Sequence, residues 1–143
     1  MPNLFTLQEA IDYGNNGDIE KWVHLFLLDI GDNKAFSDGL KLFKRYFTKP
    51  LLTELSILKR CCGPEDNIKY KIDKDAFENN VQRMVRSIAK GWDMPPLIVN
   101  YSKGEFELND GNHRYEALIR SGRTQYYVIF WTTDAAEFKE IHN

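Results

Sequence analysis

Apolar residues in the first 63 positions recur at intervals of three and four, the spacing that places side chains on one face of an α-helix. The strongest stripe follows Asp18, a candidate helix cap, and consists of Ile19, Trp22, Val23, Phe26 and Ile30. Further helices are predicted from about Ser37 to Phe47, and from Thr48 to the stop at Gly63 and Pro64. Residues 1–63 are therefore predicted to form an N-terminal helical layer.

The pattern changes after residue 63, because short alternating apolar segments now separate the predicted helices. Strands are predicted at residues 68–72, 97–101, 105–109 and 125–131, the middle two as a hairpin. Helices are predicted after a cap at Asp73 or Asp75, at residues 113–121 and at residues 134–141. Residues 64–143 are expected to form a small mixed sheet with packed helices, in one compact α+β unit with the helical layer.

Composition is that of an ordinary globular protein, with 43% hydrophobic residues, 28% charged residues and a net charge of −2. This balance argues against a surface built throughout for nucleic acid. One stretch is basic, since Lys34 to Arg60 holds seven basic residues and two acidic ones. The chain shows no secretory signal and no apolar run of about 18 residues, so a cytoplasmic protein without a membrane span is predicted.

Both cysteines are adjacent, at positions 61 and 62. A disulfide between neighbouring residues closes a strained ring. A metal site would be indicated by CxxC spacing or a nearby His, and the sequence has neither. Free thiols are therefore predicted.

The sequence Asn-Asp-Gly-Asn-His-Arg, residues 109–114, lies where a predicted strand gives way to a helix. The first N–H groups of a helix lack carbonyl partners, and the helix dipole adds partial positive charge there. Gly111 would let an anion approach the backbone, Arg114 offers a bidentate guanidinium, and His113 can move a proton near neutral pH. The segment therefore suits a phosphate, although it equally fits an ordinary helix start with an exposed first turn.

Residues 81–131 resemble the core of the ParB/sulfiredoxin superfamily. The shared features are a helix with Ser-Ile near its end, a Pro-Pro entry to a strand, a hairpin, Gly-x-x-Arg at a helix start and a Gly before the last strand. The resemblance covers about the last 75 residues. It implies a ParB/sulfiredoxin-like α+β fold that binds ATP, ADP or CTP, with Mg²⁺ on the phosphates.

The resemblance implies phosphate binding by Gly111, His113, Arg114 and Ser87, and the candidate phosphate-binding residues also include Asn112 of the loop and Arg83. Ser87 and Arg83 lie one helical turn apart and also fit a solvated helix face. The candidate catalytic residues are Asp110 and His113, which would move a proton, and Arg114, which would stabilise charge in the transition state.

The loop departs from two branches of the superfamily. Asn112 stands where sulfiredoxins carry their nucleophilic Cys, so sulfiredoxin activity is not expected. Chromosome-partitioning ParB proteins carry Glu-Arg-Arg in the loop and a helix-turn-helix domain after it, so their DNA-reading module is not expected here. The loop is closest to the Asp-Gly-His-His-Arg of ADP-dependent serine kinases, which favours a phosphotransferase or NTPase.

Two alternatives remain open at this point. In a ParB-like metal-dependent nuclease, Asp110, His113 and Glu116 would hold a divalent ion, and a basic helix at Lys41 to Lys49 would bind DNA. In a non-catalytic module, the nucleotide would act as a switch, and the helical layer would dock a partner or a second copy in a homodimer.

Overall fold

The computed structural model describes residues 3–141 as an α+β fold, which confirms the predicted class. The helices of this part of the chain are α1 (Leu7–Asn15), α2 (Ile19–Leu28), α3 (Lys34–Leu40), α4 (Lys74–Ala89), α5 (Asn112–Arg120) and α6 (Ala135–Ile141). Its strands are β1 (Tyr46–Phe47), β2 (Leu51–Glu54), β3 (Lys59–Arg60), β4 (Cys62–Gly63), β5 (Tyr70–Lys71), β6 (Leu97–Ser102), β7 (Glu105–Asp110) and β8 (Gln125–Thr132). Within residues 3–141, no helix is both long and apolar enough to cross a membrane.

The main sheet is mixed and has the order β1-β8-β6-β7-β3. β6 pairs in parallel with β8 and antiparallel with β7, while β3 adds to β7 in parallel. The edge of β8 opposite β6 pairs antiparallel with both β2 and β1, which follow one another along it. A separate parallel pair, β4 with β5, lies beside this sheet.

Helices cover both faces of the main sheet. Successive residues of a strand point to opposite faces. Leu97 and Val99 of β6 accordingly pack in the core that α4 and α5 cover, whereas Ile98 packs with α1, α2 and α3. The centre of the sheet is buried on both sides, because Val128 and Ile129 of β8 divide between the two cores in the same way. The main sheet is therefore packed between α4 and α5 on one face and α1, α2 and α3 on the other.

Four predicted helices are found where the pattern placed them, namely α2, α4, α5 and α6. α4 starts at a side-chain cap, because Asp73 Oδ2 accepts a hydrogen bond of 2.9 Å from the Ala76 N–H. The hairpin β6–β7 and the strand β8 are also confirmed, whereas the strand predicted at 68–72 is reduced to β5.

Two helix predictions in the N-terminal region are wrong. The helix expected over 37–47 is α3, which ends at Leu40 and is followed by β1, so no basic helix forms over Lys41 to Lys49. The helix expected after Thr48 is replaced by β2, a 3₁₀ turn (Leu55–Ile57), β3 and β4. Pairing of Leu51 with Val128 of β8 outweighs the leucine spacing, which would equally suit a helix.

α1 was missed because its apolar stripe is short. Its start carries a recognisable signal, since Thr6 Oγ1 accepts a hydrogen bond of 3.1 Å from the Glu9 N–H. The Glu9 carboxylate in turn accepts hydrogen bonds from the Phe5 N–H and from the Trp22 indole N–H. These contacts fix α1 against α2.

Candidate functional site at the start of α5

The turn between β7 and α5 depends on Gly111. Its φ of +105° lies in a region that L side chains rarely adopt. A Cβ at this position would lie 2.7 Å from Leu97 Cδ2 and 2.9 Å from Arg114 Nη2. Glycine is therefore required both by the backbone and by the close approach of the Arg114 guanidinium. The ladder of α5 starts with the Tyr115 N–H, which donates to Gly111 O at 2.8 Å, so the N–H groups of residues 112–114 precede it.

Arg114 points into the protein and is only 5% exposed. Its Nη1 donates to Pro95 O at 2.6 Å and to Pro96 O at 2.9 Å, and its Nη2 donates to Asp110 Oδ2 at 2.9 Å. The ring of Phe26, from α2, lies 5.3 Å from the guanidinium carbon. The guanidinium thus connects the start of α5 with the two prolines before β6 and with α2. These contacts use the N–H donors that were predicted from the sequence to bind phosphate.

Asp110 also faces inward. Its carboxylate pairs with Arg114 and accepts a hydrogen bond from the side chain of Asn33, the residue that caps α3. Burial raises the pKa of the Asp110 carboxyl, while the charge of Arg114 and the Asn33 hydrogen bond act in the opposite direction. In this arrangement the carboxylate positions a guanidinium, and its role as a general base stays a prediction.

Asn112 is 4% exposed and binds the backbone of a distant segment. Its Oδ1 accepts hydrogen bonds from the N–H groups of Cys61, at 3.0 Å, and Cys62, at 3.2 Å. Its Nδ2 donates to Leu108 O at 3.2 Å. One amide therefore satisfies two donors of the 61–62 segment and fixes it against the end of β7.

His113 faces the opposite side of the turn. Its ring packs on Phe77 of α4, with 4.9 Å between ring centroids, and its Nε2 is shielded from solvent with no hydrogen-bond partner among residues 3–141. The pKa of His113 is lowered, first by burial and then by the positive charges of Arg114, Arg60 and Arg83. These effects favour the neutral imidazole, and the Asp110 carboxylate acts in the opposite direction.

Arg60 was not singled out from the sequence, where the only signal was the basic stretch around it. In the structure its guanidinium carbon lies 5.3 Å from the centroid of the Phe77 ring, the same ring that His113 contacts. Arg60 also donates to Cys62 O at 3.3 Å and forms an ion pair with Glu65. We call Arg60, Arg83 and His113 the basic cluster.

The two candidate phosphate-binding residues of α4 have different surroundings. Arg83 is exposed, and its charge acts on His113. Ser87 follows Phe77 by ten residues, which is about 15 Å along a helix, so it lies toward the other end of α4. Its hydroxyl donates to Arg83 O at 3.2 Å. Arg83 therefore acts electrostatically on the start of α5, whereas the hydrogen bond of the Ser87 side chain is with α4 itself.

Glu116, the candidate metal ligand, accepts a hydrogen bond of 3.0 Å from Arg120 Nε within α5. Across residues 3–141, no group of three or more His, Cys, Asp or Glu side chains is arranged to hold a metal ion. The side chains of these residues therefore do not form a preassembled binding site for a divalent ion.

No protein-family model and no curated protein matches the chain. Among solved structures, it is similar to the C-terminally truncated chromosome-partitioning protein ParB from Caulobacter crescentus, complexed with CTP-gamma-S, at 21% identity and a TM-score of 0.43. That match covers 64% of this chain and 49% of the ParB chain. A Pnob8-like ParB-N domain matches at 15% identity and a TM-score of 0.44, over 68% of this chain and 34% of the other.

Sulfiredoxin from Arabidopsis thaliana matches at 20% identity and a TM-score of 0.43, over 66% of this chain and 99% of sulfiredoxin. The chain thus spans about half of the ParB chain and about a third of the ParB-N chain. These likenesses are to the two kinds of protein, ParB and sulfiredoxin, that the sequence resemblance names, and they are distant and concern the fold alone.

Proposed function

We propose that the N-terminal end of α5 binds the phosphate group of a nucleotide, with the basic cluster beside it. The observation that carries this proposal is the state of His113. Its buried Nε2 has no partner among residues 3–141, and it lies in the field of three arginines. In the tautomer that carries the proton on Nε2, a phosphate oxygen would accept its hydrogen bond and would be attracted by the nearby positive charges.

The proposed roles differ from those indicated by the sequence. Phosphate oxygens would accept hydrogen bonds from the N–H groups of residues 112–114, which precede the helical ladder. Arg83 would add charge from the solvent side, and Arg60, which is paired with Glu65, would add charge from beside the Phe77 ring. Arg114 would contribute charge from within, since its own N–H donors are engaged by the protein.

The nucleotides that the sequence resemblance implies are ATP, ADP and CTP, with Mg²⁺ shared by the phosphates. Phosphotransferase or NTPase activity would add a proton transfer, for which the neutral imidazole of His113 is the better placed of the two candidates. Asp110 lies on the other side of the turn, paired with Arg114. Binding without turnover is the outcome expected of a nucleotide-dependent module.

The nuclease alternative is less favoured by the geometry. Asp110 is turned toward Arg114, and Glu116 is paired with Arg120, so the two carboxylates do not join His113 in one cluster. The DNA-binding role assigned to residues 41–49 loses its basis, because α3 ends at Leu40.

The test is a thermal-shift titration of the full chain with ATP, ADP and CTP, each with and without Mg²⁺. A nucleotide at 100 times its Kd should raise the free energy of unfolding by about 2.7 kcal/mol. Phosphate release, measured in the same samples, separates turnover from binding alone.

Matched variants test whether a nucleotide-dependent thermal shift comes from binding at the start of α5. His113→Ala and Arg83→Gln should weaken nucleotide binding, whereas Arg86→Gln should leave it unchanged, because Arg86 is another exposed arginine about one turn farther along α4. The proposal fails if no nucleotide binds, or if all three variants bind as tightly as the parent protein.

A further inference from the structure

The adjacent cysteines form a closely spaced pair of free thiols, as predicted. Cys61 is buried and Cys62 is partly exposed, and their sulfur atoms lie 3.5 Å apart. Two bonds of about 2.3 Å, the length of a zinc–thiolate bond, span about 3.3 to 3.8 Å when they meet at an angle between 90° and the tetrahedral value. The pair therefore has the span of a two-thiolate chelate, whereas a disulfide bond would require about 2.05 Å.

Cys61 and Cys62 are among the residues that line a cavity of about 520 Å³. The aromatic rings of Phe36 and Tyr70 and the polar side chains of Asn33 and Asn109 also line it. This volume lies within the range of small-molecule sites, which are about 300–1,000 Å³. A centre bound by the sulfur atoms could therefore carry an organic substituent into the cavity.

The backbone of the pair is held in place before any ligand arrives. Asn112 accepts hydrogen bonds from both cysteine N–H groups and brings its Nδ2 within 3.6 Å of Cys61 Sγ. This contact lowers the pKa of the Cys61 thiol and so partly opposes the burial that raises it. Preorganisation of this kind lowers the entropic cost of binding.

We propose that Cys61 and Cys62 chelate trivalent arsenic, presented as an organic arsenical whose substituent occupies the cavity. Each arsenical R–As=O would react with two Cys–SH groups to give R–As(S–Cys)₂ and one water, in which arsenic stays trivalent and both thiol protons leave with the oxygen. The substituent fills the third position on arsenic. A tetrahedral zinc ion would need further protein ligands, and residues 3–141 contain no group of three or more that could hold a metal.

The order of the two bonds follows from exposure. Cys62 is the accessible thiol and would react first, whereas burial, followed by the contact with Cys62, raises the pKa of Cys61 to about 12. Attachment of arsenic to Cys62 would place it next to the Cys61 sulfur, so the second bond would form within one molecule.

The test uses phenylarsine oxide on the full, reduced chain, which has no other cysteine to interfere. Intact mass spectrometry should show one phenylarsenic group per chain, and both thiols should become unreactive to a thiol reagent. The adduct should survive an excess of a monothiol and be removed by a dithiol. Two phenylarsenic groups per chain, or removal by the monothiol, would overturn the proposal.

Cys61→Ser and Cys62→Ser should each weaken binding by about 100- to 10,000-fold, the gain that linking two contacts provides. Circular dichroism checks that each variant folds, and the monothiol competition on the parent protein stands independently of the variants. A parallel titration with Cd²⁺ tests the choice of arsenic. Binding of Cd²⁺ tighter than that of the arsenical, or retention of arsenical affinity in both variants, would contradict the inference.

Discussion

The turn at the start of α5 has two sides that use neighbouring residues for different purposes. On the inner side, the polar groups of Asp110, Asn112 and Arg114 are engaged by other parts of the protein. On the outer side, His113 has a buried nitrogen without a partner among residues 3–141 and lies in a positive field. One short sequence therefore contains residues that stabilise the fold and a candidate binding residue. Variants on the inner side should lose stability, whereas variants on the outer side should lose binding.

The largest expected effect is on the inner side, at Arg114. Arg114→Met should lower the free energy of unfolding by about 3–5 kcal/mol, because it leaves the buried Asp110 carboxylate without its ionic partner. Chemical denaturation measures the loss. The exposed Arg83 is the matched control, and Arg83→Met should stay within about 0.5 kcal/mol of the parent protein. Equal losses of unfolding free energy in the two variants would contradict the structural role assigned to Arg114.

Gly111→Ala should cost about 2–4 kcal/mol, the sum of a strained backbone at positive φ and an overpacked contact. The Arg114 guanidinium cannot move aside easily, since three hydrogen bonds hold it. Gly104 also has a positive φ, of +81°, but a Cβ there would meet open space. Gly104→Ala should therefore cost only about 1–2 kcal/mol in the same denaturation experiment. Similar costs for both variants would show that the close contact at Gly111 does not matter.

Asn112→Ala should lower the free energy of unfolding by about 1–3 kcal/mol, because the N–H of buried Cys61 loses its acceptor. Hydrogen exchange should also become faster at the amides of Cys61 and Cys62. Asn79, an exposed residue within α4, provides the control, and Asn79→Ala should change neither quantity appreciably. Unchanged exchange in Asn112→Ala would contradict the inward role assigned to this side chain.

The smallest effect concerns pH and the outer side. The pKa of His113 in the folded protein is lowered from 6.5, so the unfolded chain binds more protons and stability should fall as pH drops below 6.5. NMR titration of the imidazole should give a pKa under 6.5, and His113→Gln should flatten the acid side of the stability curve. A titration above 6.5 in the ligand-free protein would count against the positive field.

A bound nucleotide phosphate should raise the pKa of His113, because a nearby negative charge favours the imidazolium. His24 offers an internal control, because its pKa is also lowered, mainly by burial. Its imidazole forms a hydrogen bond with Ser37 and lies outside the proposed phosphate site. The His24 resonance should therefore not respond to nucleotide.

The C-terminal elements could be predicted because each has local signals. α4 combines an apolar stripe with the Asp73 cap, and α5 follows a glycine turn. The helix predicted after Thr48 was wrong because Leu51, Leu55 and Leu58 have helical spacing, although Leu51 belongs to a strand that pairs with β8. That pairing joins residues far apart in the chain, and no local pattern indicates it.

The same limit applies to the candidate site. The juxtaposition of Gly111, His113 and Arg114 at a helix start follows from the sequence. The direction of each side chain does not, because the partners of Arg114 are carbonyl oxygens before β6 and a ring from α2. Arg60 was missed for the same reason, since only the tertiary fold brings it to the Phe77 ring.

The pairing of β8 with both β1 and β2 bears on how the chain can be shortened. A protein that began at residue 64 would lack the two strands that cover one edge of β8, together with β3 on the far side of the sheet. Open edges recruit strands from other molecules. Such a fragment should self-associate, because β1, β2 and β3 cover both edges of the sheet in the intact chain.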